Sequence, residues 1–222
     1  MITVSDRTQK YPDGILDSEI LCASCDGYLG KHYDNPAIKI FQTLRITSRD
    51  MNMRKTRYAK RNIKCSTLCE FFLSILWRAS ISTRCKGMTL GKYEDQVRDA
   101  LFNRKPFSSL IGFEVLVSRY RSRVIADPSG LYCLPRALHP YIFGFSLAGF
   151  RITVKLDPHR FSPEDQRNVL NGRNVLRGDV IEFENTPEGH EAHEMVVVAG
   201  RRVGRQNNMP RPGMLRKGET LA

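Results

Sequence analysis

The fold of this chain is decided by one stretch, Thr67-Leu68-Cys69-Glu70-Phe71-Phe72-Leu73-Ser74-Ile75-Leu76-Trp77-Arg78-Ala79-Ser80-Ile81-Ser82. At about 100° per residue, its apolar side chains lie nearly all round a helix, which is typical of a helix buried in the protein interior. Thr67 and Glu70 have the spacing of a capping box, so the helix is predicted to begin there. Trp77 is predicted to lie in the core, and Glu70 and Arg78 are predicted to share one exposed or functional edge.

Strand patterns follow in the second half of the chain, where the hydrophobic period changes to two. Phe113–Val117 begins a strand. Tyr141–Phe145 and Phe150–Leu156 alternate apolar and polar residues around a turn, which predicts an antiparallel hairpin with one wet face. A second pair of strands is predicted at Asp179–Glu184 and Glu194–Ala199. The fold is therefore predicted to be α+β, with an antiparallel sheet packed on the buried helical layer.

Two shorter helices are predicted as well. One begins at Asn35, with Pro36 in its first turn. The other runs from Lys92 to Phe102, and a favourable i, i+4 ion pair between Glu94 and Arg98 is predicted on its wet side. Its buried face is predicted from residues at helical spacing: Tyr93, Val97, Ala100 and Leu101.

The composition indicates a soluble globular protein, because 41% of the 222 residues are hydrophobic and 26% are charged. No stretch reaches the ~20 apolar residues of a membrane span, and the N-terminus lacks the apolar core of a signal peptide. A cytoplasmic location is expected, in which the 6 cysteines are thiols or metal ligands. The predicted segments are 1–43 (cysteine knuckle and short helix), 44–64 (basic linker), 65–200 (α+β domain) and 201–222 (disordered basic tail).

The net charge of +12 is concentrated in two segments. Residues 45–64 hold eight basic residues and one acidic residue, and residues 200–222 hold six basic residues and one acidic residue. Such segregation favours a polyanionic partner, namely nucleic acid; the alternative is two solvated segments without a partner. The candidate nucleic-acid-binding residues are Arg54, Lys55, Arg57, Lys60, Arg61, Arg201, Arg202 and Arg205.

A Cys-x-x-Cys knuckle lies near the N-terminus, in Ile20-Leu21-Cys22-Ala23-Ser24-Cys25-Asp26-Gly27-Tyr28-Leu29-Gly30. Two thiolates on a tight turn, with glycines that let the backbone bend, are half of a structural zinc site. Cys65 and Cys69 would complete a Cys₄ site if a helix already begins at Cys65; the alternative places Cys69 in the core as a small apolar residue. His32 is a further candidate ligand. No other cofactor is indicated, since the chain has no phosphate-binding loop.

Two histidines close to acidic residues form a second cluster, His190-Glu191-Ala192-His193-Glu194. Its spacing is not that of His-Glu-x-x-His, in which both histidines lie one helical turn apart. The segment is predicted to lie in a hairpin loop, where polar residues are solvated.

The knuckle segment from Gly14 to Asp26 resembles the second half of the zinc-ribbon finger of HNH-type endonucleases, which carry an Ile-Leu-Cys-x-x-Cys-(Asn/Asp) segment. Leu76–Ser80 and Leu90–Glu94 are similar to segments of uncharacterised bacterial and phage proteins that join this knuckle to a helical region. In the nuclease pattern, the first ligand pair and the catalytic His precede the knuckle. The 21 residues before Cys22 contain neither Cys nor His. The resemblance therefore implies finger positions and no catalytic residue, as in an HNH-like protein without its front half.

Three functions are weighed on this basis. The first is a nucleic-acid-binding protein of HNH-like ancestry without nuclease activity, with DNA favoured over RNA. The second is a metal-dependent endonuclease whose site uses residues such as His32, His190 and His193. The third is a protein-interaction or regulatory module whose basic segments only aid solubility.

Overall fold

Helix α3 (Cys65–Ile81) runs through the hydrophobic core, as its sequence predicts. The structure is a computed structural model, and it describes residues 2–3, 9–10, 20–44, 56–105, 107, 110, 112–125 and 130–192. Leu68, Phe72 and Leu76 are almost completely buried on α3, and Trp77 is only 5% exposed. The prediction of a central, buried helix is confirmed.

The start of α3 differs from the capping-box prediction. The helix begins at Cys65, and its N-cap residue Lys64 makes no side-chain capping hydrogen bond. Instead, the backbone N–H groups of Ile63 and Cys65 donate to carbonyl oxygens of a loop distant in sequence, at 3.1 and 3.3 Å. The chain thus enters the helix already held by tertiary hydrogen bonds, and the spacing of Thr67 and Glu70 does not set the boundary.

The other helices surround α3 in the helical layer. They are α1 (Ala23–Leu29), a π-helical turn (Gly30–Asp34), α2 (Asn35–Thr43), a 3₁₀ turn (Gly91–Tyr93) and α4 (Glu94–Phe102). The predicted face of α4 is buried, including Val97 and Leu101. Arg98, however, forms its ion pair with Asp95 at 3.1 Å rather than with Glu94.

A six-stranded sheet packs on this layer within the described residues, with the strand order β3-β8-β4-β7-β6-β5. Its strands are β3 (Arg57–Arg61), β4 (Phe113–Arg121), β5 (Cys133–His139), β6 (Ile142–Leu147), β7 (Phe150–Leu156) and β8 (Val175–Glu182). The pairs β3/β8, β4/β7, β6/β7 and β5/β6 are antiparallel. Near the N-terminus, β1 (Ile2–Thr3) and β2 (Gln9–Lys10) form a separate two-stranded sheet, and a short helix α5 (Pro163–Gln166) precedes β8.

The β6–β7 hairpin follows its hydrophobic pattern. Ile152 and Val154 are fully buried in the same core cluster as Leu76 of α3. Phe143 and Phe145 lie opposite them in the antiparallel register. The α+β architecture, with an antiparallel hairpin against the central helix, is confirmed.

Strand β3 lies in the segment that was predicted to be a linker. Its Tyr58 packs against Phe150, with ring centroids 6.0 Å apart, and donates its hydroxyl to the Val117 carbonyl at 3.0 Å. Gly178 on β8 makes room for this contact, since a Cβ there would lie 1.9 Å from the Val117 oxygen. One half-buried aromatic residue therefore fixes a strand whose other side chains, three of them charged, are exposed, and such a strand has no period-two hydrophobic signal.

Strands β5 and β8 differ from the strands that the sequence predicts. β5 was not predicted, because Pro135 and two register shifts against β6 break its alternation. The predicted segment Asp179–Glu184 overlaps β8, which pairs with β3. Its predicted partner, residues 194–199, lies outside the described residues.

The two-residue turn between β6 and β7 contains a strained alanine. Ala148 and Gly149 have φ values of 51° and 81°, which is the combination that Asn-Gly turns adopt most easily. We expect Ala148→Asn to raise the free energy of unfolding by about 0.5–1 kcal/mol, measured by urea denaturation, because asparagine tolerates positive φ better than alanine. Ala59→Asn, at an exposed β3 position, is the matched control and is expected to give no gain. An equal gain in both variants would contradict the strain explanation.

The chain divides into two compact units, residues 1–181 and 182–222. In the described part of the second unit, a 3₁₀ turn (Phe183–Asn185) is followed by a helical segment at 187–192. No helix in the described part of the chain is long and apolar enough to cross a membrane.

Candidate functional site

Cys22 and Cys25 lie together at the start of α1. Cys22 is the N-cap residue, and its sulfur accepts a hydrogen bond from the Cys25 backbone N–H at 3.4 Å. The Ser24 hydroxyl lies 3.1 Å from the same sulfur. The predicted tight turn is wrong in its backbone, because Gly27 lies within α1 and Gly30 has the helical angles φ −54° and ψ −49°. The Cys22 sulfur lies beside Cys25, and the start of a helix rather than a tight turn brings it there.

The two thiols differ in acidity. The hydrogen bond with the Ser24 hydroxyl, followed by the Cys25 backbone N–H, lowers the pKa of Cys22 to about 7. The pKa of Cys25 is raised, mainly because its thiol is hydrogen-bonded to Cys22. Near neutral pH, Cys22 therefore carries a large thiolate fraction while Cys25 keeps its proton. The thiolate is the form of cysteine that attacks electrophiles and binds metals.

The other two predicted zinc ligands lie elsewhere. Cys65 and Cys69 share a face of α3, but both are buried in the hydrophobic core. Burial raises the pKa of Cys65 to about 11 and raises that of Cys69 further, which disfavours the thiolate that zinc requires. Among the described residues, no group of three or more His, Cys, Asp or Glu side chains could hold a metal ion. The four sulfurs do not form one site in this conformation, so zinc binding stays a prediction.

The described candidates for nucleic-acid binding are on β3. Arg57, Lys60 and Arg61 are exposed. Alternation along the strand places Arg57 and Arg61 on one face and Lys60 on the other. Asp179 lies opposite Arg57, with 3.6 Å between its Oδ1 and the Arg57 Nε, and the two side chains are 46% and 74% exposed. The remaining candidates, Arg54, Lys55, Arg201, Arg202 and Arg205, lie outside the described residues.

A polar pocket of about 180 Å³ lies between the π-helical turn, α3 and the residues after α4. Its lining is His32, Tyr33, Glu70, Arg104, Lys105 and Phe107. Burial raises the pKa of Glu70, and the charges of Lys64 and Arg104 act against this shift. Burial also raises the pKa of Tyr33 to about 12, and its hydroxyl donates to the Leu101 carbonyl at 2.5 Å. The pocket is lined by cationic side chains as well as by Glu70, so it can accept a small polar group.

Glu70 and Arg78, which the sequence places on one edge of the helix, have different partners. Glu70 lines the pocket, and Arg78 forms a two-point ion pair with Asp34, at 2.7 and 3.0 Å. His32 lines the pocket and packs against Tyr28, with ring centroids 4.4 Å apart and the ring planes tilted by 46°. Arg104 and Lys105 follow the end of α4, where no sequence pattern marks them. Lys105 is bonded to Asp99, so its ammonium is partly neutralised.

The second histidine cluster has a different backbone from the predicted loop. Residues 187–192 are helical, and His190 is exposed there. His193 lies outside the described residues. The described part of this cluster therefore brings no second imidazole to His190.

The chain matches no family model, no curated protein and no solved structure in the three comparisons made. The relation to HNH-type endonucleases thus stays a prediction from the knuckle segment alone.

Proposed function

We propose that this protein binds nucleic acid, DNA in preference to RNA, through its two basic segments, residues 45–64 and 200–222, and does not cleave it. The first segment includes the exposed basic side chains of β3. The observation that carries the proposal is the edge strand itself. Within the described residues, β3 lies at the end of the sheet order, with Arg57, Lys60 and Arg61 exposed. Asp179 lies opposite Arg57, and the contact between the two side chains is long and solvated.

The spacing of these side chains suits a phosphate backbone. At about 3.3 Å per residue, Arg57 and Arg61 lie about 13 Å apart on the same strand face. That distance spans about four nucleotides of one DNA strand, at 3.4 Å per nucleotide. Each phosphate that Lys or Arg neutralises releases condensed counterions, so binding becomes strongly salt-dependent. Arg57 and Arg61 can thus contact phosphates without reordering a loop, and Lys60 adds positive charge from the opposite face of the strand.

Edge-strand charge has an alternative explanation, which is protection against association with other chains. The chain has a net charge of +12, so it attracts polyanions in either case. The two explanations differ in how much the β3 residues contribute to that attraction. In the protective case, any exposed basic residue contributes equally to weak attraction for polyanions. In the binding case, the β3 residues contribute more than others.

We expect Arg57→Gln/Lys60→Gln/Arg61→Gln to weaken DNA binding at least tenfold and to reduce the slope of log K against log salt by about 2–3. The measurement is fluorescence anisotropy with a mixed-sequence duplex at several salt concentrations. The matched control is Arg84→Gln/Lys86→Gln/Arg160→Gln, which removes the same charge from exposed positions outside β3. Its affinity is expected to stay within about threefold of wild type.

Three outcomes would count against the proposal. Equal losses in the two triple variants would show general charge attraction rather than a β3 site. Tighter binding to an RNA oligonucleotide of the same sequence would reverse the DNA preference. Cutting of DNA with Mg²⁺ or Mn²⁺, abolished in His32→Ala or His190→Ala, would replace the binding-only function with the nuclease alternative.

A further inference from the structure

We propose that Cys22 and Cys25 form a redox-active dithiol, which reacts with small-molecule disulfides and closes to an intramolecular disulfide. This activity is independent of the nucleic-acid binding proposed above. It replaces the half zinc site that the sequence predicts with a function that two cysteines can perform alone.

The geometry of the pair supports the proposal. Cys22 and Cys25 are three positions apart at the start of α1, and the Cys22 sulfur accepts a hydrogen bond from the Cys25 backbone N–H at 3.4 Å. The Ser24 hydroxyl lies 3.1 Å from the same sulfur. These contacts hold the Cys22 sulfur against Cys25 without a metal ion. A disulfide can form between two cysteines held this close, because the backbone needs little movement.

Exposure assigns the order of reaction. Cys22 is exposed at the N-cap, outside the turns of α1, whereas Cys25 is half-buried within the first turn. An incoming disulfide therefore reaches the Cys22 sulfur first. Cys25 is less exposed and acts second, as the resolving thiol that attacks the mixed disulfide on Cys22.

The exchange balances in two steps. The Cys22 thiolate attacks one sulfur of the small disulfide, forms a mixed disulfide and displaces the first small thiolate, which takes up a proton. Cys25 then gives up its proton and attacks the Cys22 sulfur, so that the Cys22–Cys25 bond forms and the second small thiol leaves. Two protein thiols are oxidised, and one small disulfide is reduced to two thiols.

The remaining cysteines offer no equivalent pair. Cys65 and Cys69 are buried in the core, where a dissolved disulfide does not reach them. Cys85 and Cys133 are half-buried and lie at other places in the chain. They are therefore suitable control positions, because their substitution removes a thiol without touching the pair.

The test is oxidation of the reduced full-length chain in glutathione redox buffers, followed by acid quenching and mass spectrometry. Trypsin releases residues 11–31 as one peptide that contains both cysteines. In wild type and in Cys133→Ser, we expect this peptide to lose the mass of two hydrogens at a defined ratio of oxidised to reduced glutathione. In Cys25→Ser, we expect glutathione to stay attached to Cys22. In Cys22→Ser, we expect the peptide to react at least tenfold more slowly than in wild type.

Two results would overturn the proposal. One is a wild-type peptide that carries glutathione but never closes to the intramolecular disulfide. The other is one zinc ion per purified reduced chain, lost in Cys22→Ser, which would make these thiols metal ligands. Circular dichroism of each variant establishes that it is folded, so that a lost reaction is assigned to the thiol.

Discussion

Replacing Phe72 with alanine is expected to lower the free energy of unfolding by about 3–5 kcal/mol, the largest single effect in this chain. Phe72 is fully buried. Its ring lies 5.8 Å from those of Phe71 and Phe145 and 6.2 Å from that of Phe41, so it joins α2, α3 and β6. Neighbours on three elements cannot all move to fill the space, and a cavity remains.

Urea denaturation followed by the fluorescence of Trp77, the sole tryptophan, measures this loss. Tyr132→Ala is the control, because Tyr132 is 49% exposed and its removal is expected to cost less than about 0.5 kcal/mol. Similar losses in both variants would show that Phe72 is not a central core residue.

The second large effect is expected at a buried ion pair on the sheet. Lys155 on β7 is 4% exposed, and its Nζ lies 3.5 Å from Glu114 Oε2 on β4. The same ammonium lies 4.6 Å from the centre of the Phe161 ring. Glu114 also accepts hydrogen bonds from the Phe161 backbone N–H and the Gln166 amide, at 2.9 and 2.8 Å. The pair thus anchors the segment around α5 to the sheet.

We expect Lys155→Met to destabilise the fold by about 3 kcal/mol, because it leaves a largely buried carboxylate without its cation. The double variant Glu114→Gln/Lys155→Met removes both charges and keeps the shapes, so it is expected to lie within about 1 kcal/mol of wild type. Chemical denaturation of the wild type, both single variants and the double variant gives the coupling energy. Additive losses would mean that the two charges do not interact.

The hydrophobic pattern of the sequence predicts the helices and strands whose own side chains form a continuous buried face. α3 and the β6–β7 hairpin are found because apolar residues at periods of 3.6 and two leave one arrangement for burial. α1 is missed as a helix because Gly27 and Gly30 are poor helix formers, yet the chain stays helical through them into α2. β3 is missed because one aromatic residue, Tyr58, holds it in place.

For the candidate sites too, the sequence predicts contacts between residues that are near in sequence and misses contacts between residues that are distant. The spacing of Cys22 and Cys25 predicts that the two residues lie side by side, since residues three positions apart are close in either a turn or a helix start. The polar pocket is not predictable, because His32, Glu70 and Arg104 come from three separate elements. Sequence places Cys65 and Cys69 on one helix face, but only the packing of α3 shows that this face is inside the core.

The position of β3 in the sheet has a consequence for the order in which the chain folds. β3 is synthesised early, whereas β8, which carries its partner residues, is made after α3, α4 and four other strands. The β6–β7 hairpin can close on the ribosome, but β3 must wait with both backbone edges unpaired. Strands in that condition associate with copies of themselves. Because Arg57, Lys60 and Arg61 repel the same strand of a neighbouring nascent chain, the charge that is proposed to hold DNA in the finished protein also keeps the unfinished one separate.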